Sequence, residues 1–199
     1  MRRIIEYNRV LTVEITPYKN EWKTEFEQVA AFLRGVLGDL AVRIDHIGST
    51  AVPGLDAKDI IDIQVTVKAL DENVLSALTT AGFIHRADVN SDHLPPGRDE
   101  DETGWRKWLF KPPAGWRAVN LHVRVEGAPN QRYPLLFRDF LRTHPLFAQA
   151  YARLKWSLAA YMPDRHTYAD VKDPAVDLIF LAAEEWAAQT GWQIPPPDA

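Results

Sequence analysis

Apolar residues in the first third of the chain recur first at helical spacing and then in two strand-like runs. Between residues 19 and 37 they fall on one side of a helix, which Gly38 can end. Residues 41–47 and the β-branched run at 60–67 are typical of strands. The pattern predicts a helix and two strands, with a small-residue loop that starts at Gly48 between the strands.

The middle of the chain is predicted to form short elements and one long polar loop. The expected elements are a helix at 71–81, a short strand at 83–86 and two strands at 105–111 and 118–126 that a hairpin connects. The acidic segment 88–104 shows no apolar period, and loops of this length are uncommon in compact domains. We therefore expect a mobile loop, with disorder favoured over a functional lid, and a solvated Asp92.

The last third of the chain is predicted to be helical. We expect helices at 133–143, from Pro145 to Met162, and at 167–189. The chain ends, residues 1–12 and 190–199, are expected to form an extended arm and a flexible tail. Together the elements predict one α+β domain over residues 1–199, with a small mixed β-sheet packed with helices and a helical C-terminal part.

The loop Gly48-Ser49-Thr50 and the strand after it carry the most informative chemistry. Strand alternation places Asp62 and Gln64 on one polar face. Gly48 permits a sharp turn and the close approach of a ligand, and the N–H and hydroxyl groups of Ser49 and Thr50 can bind phosphate oxygens. Asp62 could then hold a Mg²⁺ ion that bridges those phosphates. The alternative is a tight loop in which Asp62 caps the end of a strand.

Basic side chains in the C-terminal helices could complete such a site. Arg138 and Arg142 are four residues apart, and Tyr151 and Lys155 repeat that spacing on the next helix. Two helices joined by a short turn can present these four groups to one place, where guanidinium forks fit phosphate oxygens. Ordinary ion pairing and packing would explain the same residues. His122 lies on the polar face of its strand, which argues against a plain core histidine.

The composition excludes several other classes of protein. The net charge of −4 provides no bulk attraction to nucleic acid or to an anionic membrane, so we expect neither partner. The absence of cysteine excludes disulfides, thiolate metal sites and a cysteine nucleophile. No apolar run approaches the ~20 residues of a membrane span and the start shows no signal-peptide pattern, so a cytoplasmic protein is expected. Neither a Gly-x-Ser-x-Gly elbow nor a Walker pattern is present.

Several short motifs occur together in this chain. They are HIGSTAVPGL at 46–55, Ala57-Lys58 and IIDI at 60–63, NLHV at 120–123, RDFLR at 138–142 with His144-Pro145, and Tyr151 with Lys155. With the entry segment from Val13 to Trp22, this set resembles the GrpB family, a group within the nucleotidyltransferase-like superfamily. The resemblance extends from about residue 13 to about residue 186.

The resemblance implies a nucleotidyltransferase-like fold that binds a nucleotide or another polyphosphate with Mg²⁺, and it leaves open whether the protein transfers a nucleotidyl group. It implies phosphate contacts from Gly48, Ser49, Thr50, Lys58, Arg138, Arg142, Tyr151 and Lys155. It also implies metal or catalytic roles for Asp62 and His122, with Asp45 as a second carboxylate.

The sequence departs from the superfamily pattern where further acids belong. Position 64 is Gln, and the later strand carries His122 where a third acid would be sought. Two-metal phosphoryl chemistry depends on several carboxylates, so two alternatives stay open. One is a non-catalytic nucleotide- or phosphate-binding module, which the fusion of GrpB-like domains to dephospho-coenzyme A kinases links to coenzyme A metabolism. The other is an interaction scaffold with a vestigial site.

Overall fold

Within the described residues of this computed structural model, 13–98, 102–162 and 165–199, five strands form one mixed sheet. Their bounds are Ala41–Ile47 (β1), Ile61–Val67 (β2), Ile84–His85 (β3), Trp108–Lys111 (β4) and Val119–Val125 (β5). The strand order is β1-β2-β5-β4-β3. β2 and β5 run parallel, and the other neighbours pair antiparallel. The arm expected at residues 1–12 lies outside the described residues.

The helices follow the predicted positions within a few residues, which confirms the α+β class. Their bounds are Glu21–Leu37 (α1), Glu72–Thr80 (α2), Pro129–Thr143 (α3), Pro145–Tyr161 (α4) and Arg165–Thr190 (α5). The main difference is α3, which begins at Pro129 instead of Tyr133, since a proline in the first turn forfeits no helical hydrogen bond. None of the described helices has both the length and the apolar character that a bilayer span requires.

One face of the sheet is apolar and is covered by α1 and α2. Ile61 and Ile63 of β2 lie beside Val119 and Leu121 of β5, and all four are buried. Trp22 of α1 is fully buried in the same cluster. Because side chains alternate along a strand, the residues between these apolar positions face the other side of the sheet.

That other face is polar and is covered by the C-terminal helices. Asp62 and Gln64 of β2 lie there beside Asn120 and His122 of β5. The helices α3, α4 and α5 pack mainly on one another, through a second apolar cluster that includes the buried Phe140. A polar space therefore remains between the sheet and these helices.

The described parts of the 88–104 segment are docked on the protein, which corrects the mobile loop expected from the sequence. The Lys107 N–H donates to the Asn90 carbonyl oxygen at 2.9 Å. The Asp92 carboxylate accepts hydrogen bonds of 2.8 and 2.9 Å from Arg124 and one of 2.5 Å from Lys107, so it is not solvated. Ion pairs to β5, which an apolar pattern cannot reveal, anchor the segment.

The flexible tail expected at 190–199 is also corrected, because the last residues run along β1. Ala199 exchanges two backbone hydrogen bonds with Ile44, at 3.0 and 3.3 Å. Asp198 accepts a hydrogen bond from the N–H of His46 at 2.9 Å. β1 is an edge strand whose outer backbone groups need partners, and the tail provides them.

Candidate functional site

A cavity of 340 Å³ lies between the polar face of the sheet and helices α3, α4 and α5. Small-molecule sites typically enclose about 300–1,000 Å³. The predicted site residues that line the cavity are Gly48, Ser49, Thr50, Lys58, Asp62, His122, Tyr151 and Lys155. The structure thus brings the small-residue loop, two polar strand positions and one predicted helix face to a single place.

Gly48 brings the loop backbone against the Asp62 side chain. Its φ of 71° and ψ of −169° belong to a region of backbone conformation that is open essentially to glycine alone. A Cβ atom at this position would lie 2.5 Å from Asp62 Oδ2 and 3.0 Å from Asp62 Cβ. Glycine is therefore required here both for its backbone conformation and for the close approach to the carboxylate.

Asp62 is held in place by two neighbours on β5. Its Oδ1 accepts a hydrogen bond from Asn120 Nδ2 at 2.7 Å and lies 3.7 Å from His122 Nε2. Burial opposes ionisation, but the interactions with His122 and Asn120 and the charge of Lys58 outweigh it and keep the pKa of Asp62 below its ordinary value. Asp62 therefore contributes a full negative charge to the cavity at neutral pH.

His122 is uncharged at neutral pH. Burial lowers its pKa to about 4; Asp62 opposes this shift, and the positive charges of Arg124 and Lys107 add to it. Arg124 Nη2 lies 3.5 Å from His122 Nδ1 and can only donate, so Nδ1 is the acceptor. The ring proton then resides on Nε2, which faces Asp62.

Lys155 reaches from α4 to the beginning of the small-residue loop. Its Nζ donates to Ser49 Oγ at 3.0 Å and to the Asp56 carbonyl oxygen, and it lies 4.7 Å from the centre of the Tyr151 ring. Burial, together with the charge of Lys172, lowers the pKa of Lys155 to about 7. An anion beside this ammonium group would stabilise its charged form.

Two more lysines line the cavity. Lys58 and Lys172 both lower the pKa of Lys155 through their charge, which places the three ammonium groups within electrostatic reach of one another. Among the described lining residues, these lysines and Arg124 stand against the single carboxylate of Asp62. Outside the lining, Asp92 pairs with Arg124 and Asp173 lies 3.3 Å from Lys172, so Lys58 and Lys155 contribute most of the excess positive charge. The cavity is therefore suited to an anion.

Among the described residues that line the cavity, Asp62 provides the one carboxylate that Mg²⁺ could use as a ligand. Mg²⁺ requires oxygen ligands, usually including one or two carboxylates, whereas imidazole suits other metals. Nowhere in residues 13–98, 102–162 and 165–199 do three His, Asp or Glu side chains converge in a way that could hold a metal ion. Gln64 is turned away from the cavity, donating to the backbone of α3 at 3.0 Å and accepting from Arg124 at 2.8 Å. The expected metal set of Asp62, His122 and Asp45 is thus not assembled.

Asp45 lies outside the cavity, although it shares a sheet face with Asp62. It pairs with Gln64 in the strand register, one strand nearer the edge of the sheet than Asp62. Its fully buried carboxylate accepts hydrogen bonds of 2.7 Å from both Nε and Nη2 of Arg43. Asp45 is therefore a structural ion-pair partner, and the prediction of a second metal carboxylate is corrected.

Arg138 and Arg142 also lie away from the cavity, so the four-residue phosphate clamp is not formed. Arg138 is 1% exposed and donates to the His46 carbonyl oxygen at 2.9 Å and to Asp198 at 2.6 Å. Arg142 donates to the Ala51 carbonyl oxygen at 3.0 Å. The face of α3 that lines the cavity carries Tyr133, Pro134 and Phe137 instead, whereas Arg138 is directed toward β1 and Arg142 toward Ala51.

Three polar lining residues were not assigned roles from the sequence. Asn120 and Arg124 flank His122 on the same strand face, so the alternation that singled out His122 also predicts them. Lys172 follows Tyr168 by four residues on α5, the same spacing that drew attention to Tyr151 and Lys155. The spacing that singles out these three residues is visible in the sequence, whereas the pairing of Arg124 with Asp92 is visible only in the folded structure.

The GrpB protein family matches residues 12–181 of the chain. The chain belongs to the GrpB family. A crystal structure of the conserved protein GrpB from Enterococcus faecalis superposes with a TM-score of 0.68 at 26% identity, covering 87% of this chain and 99% of that one. The family predicted from the motifs is thereby confirmed.

Curated relatives include longer proteins. A "Dephospho-CoA kinase" of Mycolicibacterium paratuberculosis is 33% identical over 91% of this chain and 48% of its own length. The "UPF0157 protein BH1888" of Halalkalibacterium halodurans is 34% identical over 86% of this chain and 83% of its own length. The chain spans about half the length of the dephospho-CoA kinases that it matches. A structure of Cid1 with its product ApU, at 14% identity and a TM-score of 0.43, is too distant to support a conclusion about activity.

Proposed function

We propose that the cavity of this GrpB-family chain binds the phosphate groups of a nucleotide or of another phosphorylated small molecule. The observation that carries the proposal is the convergence of Lys58, Lys155 and Lys172 on a cavity that also contains the Ser49 hydroxyl. Charge-assisted hydrogen bonds from ammonium groups to phosphate oxygens are among the strongest that a side chain forms.

Binding without nucleotidyl transfer is the activity that the geometry supports best. Transfer through two metal ions depends on carboxylates that position both ions, and Asp62 is the one carboxylate among the described lining residues. The similarity to dephospho-CoA kinases over about half their length makes dephospho-coenzyme A one ligand worth testing. The single carboxylate supports the alternative of a non-catalytic binding module over that of a nucleotidyltransferase.

A thermal-shift panel tests the proposal. The full chain is melted with millimolar ATP, UTP, AMP, pyrophosphate or dephospho-coenzyme A, each with and without Mg²⁺. A ligand at 100 times its Kd stabilises the native state by about 2.7 kcal/mol. At roughly 2–4 °C per kcal/mol for a protein of this size, we expect a rise in Tm of about 5–10 °C.

Two lysine variants identify the cavity as the binding site. Lys172→Met should abolish most of the shift, because Lys172 lines the cavity. Lys23→Met is the matched control: it removes the same charge from α1, where the Lys23 side chain is 78% exposed. The proposal fails if no ligand in the panel raises the Tm, or if both variants lose the shift equally.

A further inference from the structure

We propose that the cavity takes its phosphate ligand without a divalent metal ion, because fixed cations of the chain occupy the places that metal ions would take. The inference rests on the proposed function and specifies its chemistry. It differs from the prediction made from the sequence, in which Asp62 holds a metal ion that bridges the phosphates bound by the small-residue loop.

Arg124 is the first of these fixed cations. It extends from β5 toward Gln64, donating to Gln64 Oε1 at 2.8 Å, and its Nη2 lies 3.5 Å from His122 Nδ1. Both oxygens of Asp92 hold the guanidinium in this position, and the side chain is only 4% exposed. A permanent positive charge therefore sits beside position 64, where a second metal ion would need an acid. Lys107 pairs with the same carboxylate at 2.5 Å, so the cluster of two cations and one carboxylate keeps a net positive charge that would repel a metal ion.

Three lysines provide the remaining positive charge at the cavity. Lys155 lies 3.0 Å from the Ser49 hydroxyl, and its ammonium group has no carboxylate partner within ion-pair distance in the described residues; it donates to a backbone carbonyl oxygen instead. Lys172 lines the same cavity from α5, and Lys58 lines it from the segment before β2. Neutralising a phosphate is one task of bound Mg²⁺, and these side chains perform it directly.

Asp62 is poorly placed to recruit a metal ion. One of its oxygens accepts the 2.7 Å hydrogen bond from Asn120, and the other lies against the Gly48 backbone. With neutral His122 and no second acid at the cavity in the described residues, a Mg²⁺ ion would have to draw nearly all its ligands from water and phosphate.

Calorimetric titration with inorganic pyrophosphate, in EDTA and then in excess MgCl₂, tests the inference on the full chain. We expect pyrophosphate to bind in EDTA at least as tightly as in Mg²⁺, since Mg²⁺ competes for the same oxygens. Asp62→Asn should leave the Kd in EDTA unchanged or lower it, because a repulsive charge is removed. Lys172→Met should raise the Kd about tenfold or more, and the control Lys23→Met should leave it unchanged.

Three outcomes would overturn the inference. Binding that appears only with Mg²⁺ would show that a metal ion bridges the ligand, and would leave the proposed function intact. A tenfold or larger loss of affinity in Asp62→Asn that occurs in MgCl₂ but not in EDTA, with an unchanged Tm for the free protein, would show the same. Failure of pyrophosphate and of the whole ligand panel to bind in either buffer would overturn the proposed function as well.

Discussion

Gly48→Ala should destabilise the protein more than the matched substitution Gly54→Ala. Both glycines have positive φ, 71° for Gly48 and 78° for Gly54, so alanine strains the backbone at either position. A new Cβ at Gly54 would meet no atom within 4 Å, whereas at Gly48 it would lie 2.5 Å from Asp62 Oδ2. The difference between the two variants therefore contains the contact between the loop and the carboxylate together with the difference in backbone strain, and the double-mutant cycle with Asp62 separates the two.

The magnitude follows from two contributions. A non-glycine residue in a sparsely populated backbone region costs about 1–3 kcal/mol, and both variants bear this cost. Forcing extra volume into a filled site costs a further ~1–3 kcal/mol, and only Gly48→Ala bears it. Asp62 must move to make room, which also disturbs its 2.7 Å hydrogen bond from Asn120. Urea unfolding should therefore show Gly48→Ala to be less stable than Gly54→Ala by at least about 1 kcal/mol.

A double-mutant cycle tests the cause of that difference. Asp62→Ala removes the oxygen at 2.5 Å, so in its background Gly48→Ala should cost about 1 kcal/mol less than in the wild type. Equal costs for the two glycine variants, or strict additivity of Gly48→Ala with Asp62→Ala, would refute the close contact as the reason for glycine at position 48.

Two further predictions concern Arg138 and Lys155. Arg138→Met should lower the free energy of unfolding by ~3–5 kcal/mol, because it removes the buried cation that pairs with both Asp198 and Asp139, and urea unfolding measures it. In titrations of the folded variant the pyrophosphate Kd should not change, since Arg138 does not line the cavity. A tenfold increase in the Kd would instead support the phosphate clamp predicted from the sequence. The pKa of Lys155 is about 7, so its charge is lost as the pH rises through neutrality. Pyrophosphate affinity should therefore fall by up to about tenfold per pH unit above pH 7. Lys155→Met, which corrects for the titration of pyrophosphate itself, should lack this fall; an identical pH profile would exclude Lys155 as the titrating group.

Local patterns were sufficient for the elements and for the strand half of the site. Alternation placed Asp62 and His122 on one polar face because every second residue of a strand shares a face, whatever covers it. Helix spacing was less informative: it put Arg138 and Arg142 on one face but could not say which face of α3 meets the cavity. That choice depends on how α3 packs, which residues distant in the chain decide.

Most of the corrected assignments have one physical cause, a charge pair between residues that are distant in the chain. Arg138 is bound by Asp198, 60 positions away, and Asp92 by Arg124, 32 positions away. Asp45 is the exception, because Arg43, two positions away, binds it. A charged residue that pairs with a distant partner looks, in the sequence, the same as one that is available to a ligand. The flexible tail and the mobile loop were wrong for the same reason, since long-range charge pairs anchor both.

Position 64 shows how the polar face can keep its architecture without a second acid. The Gln64 amide is fully buried, with its oxygen bonded to Arg124 and its nitrogen bonded to the carbonyl oxygen of Gln131 in α3. A carboxylate there would pair with Arg124 instead of facing the cavity, and the carbonyl group of Gln131 would lose its donor. Arg124 is in turn fixed by Asp92, so β2, β5, α3 and the docked loop are built around a neutral side chain. The packing of these four elements therefore requires a neutral side chain at position 64, and replacing Gln64 alone would not recreate a metal site.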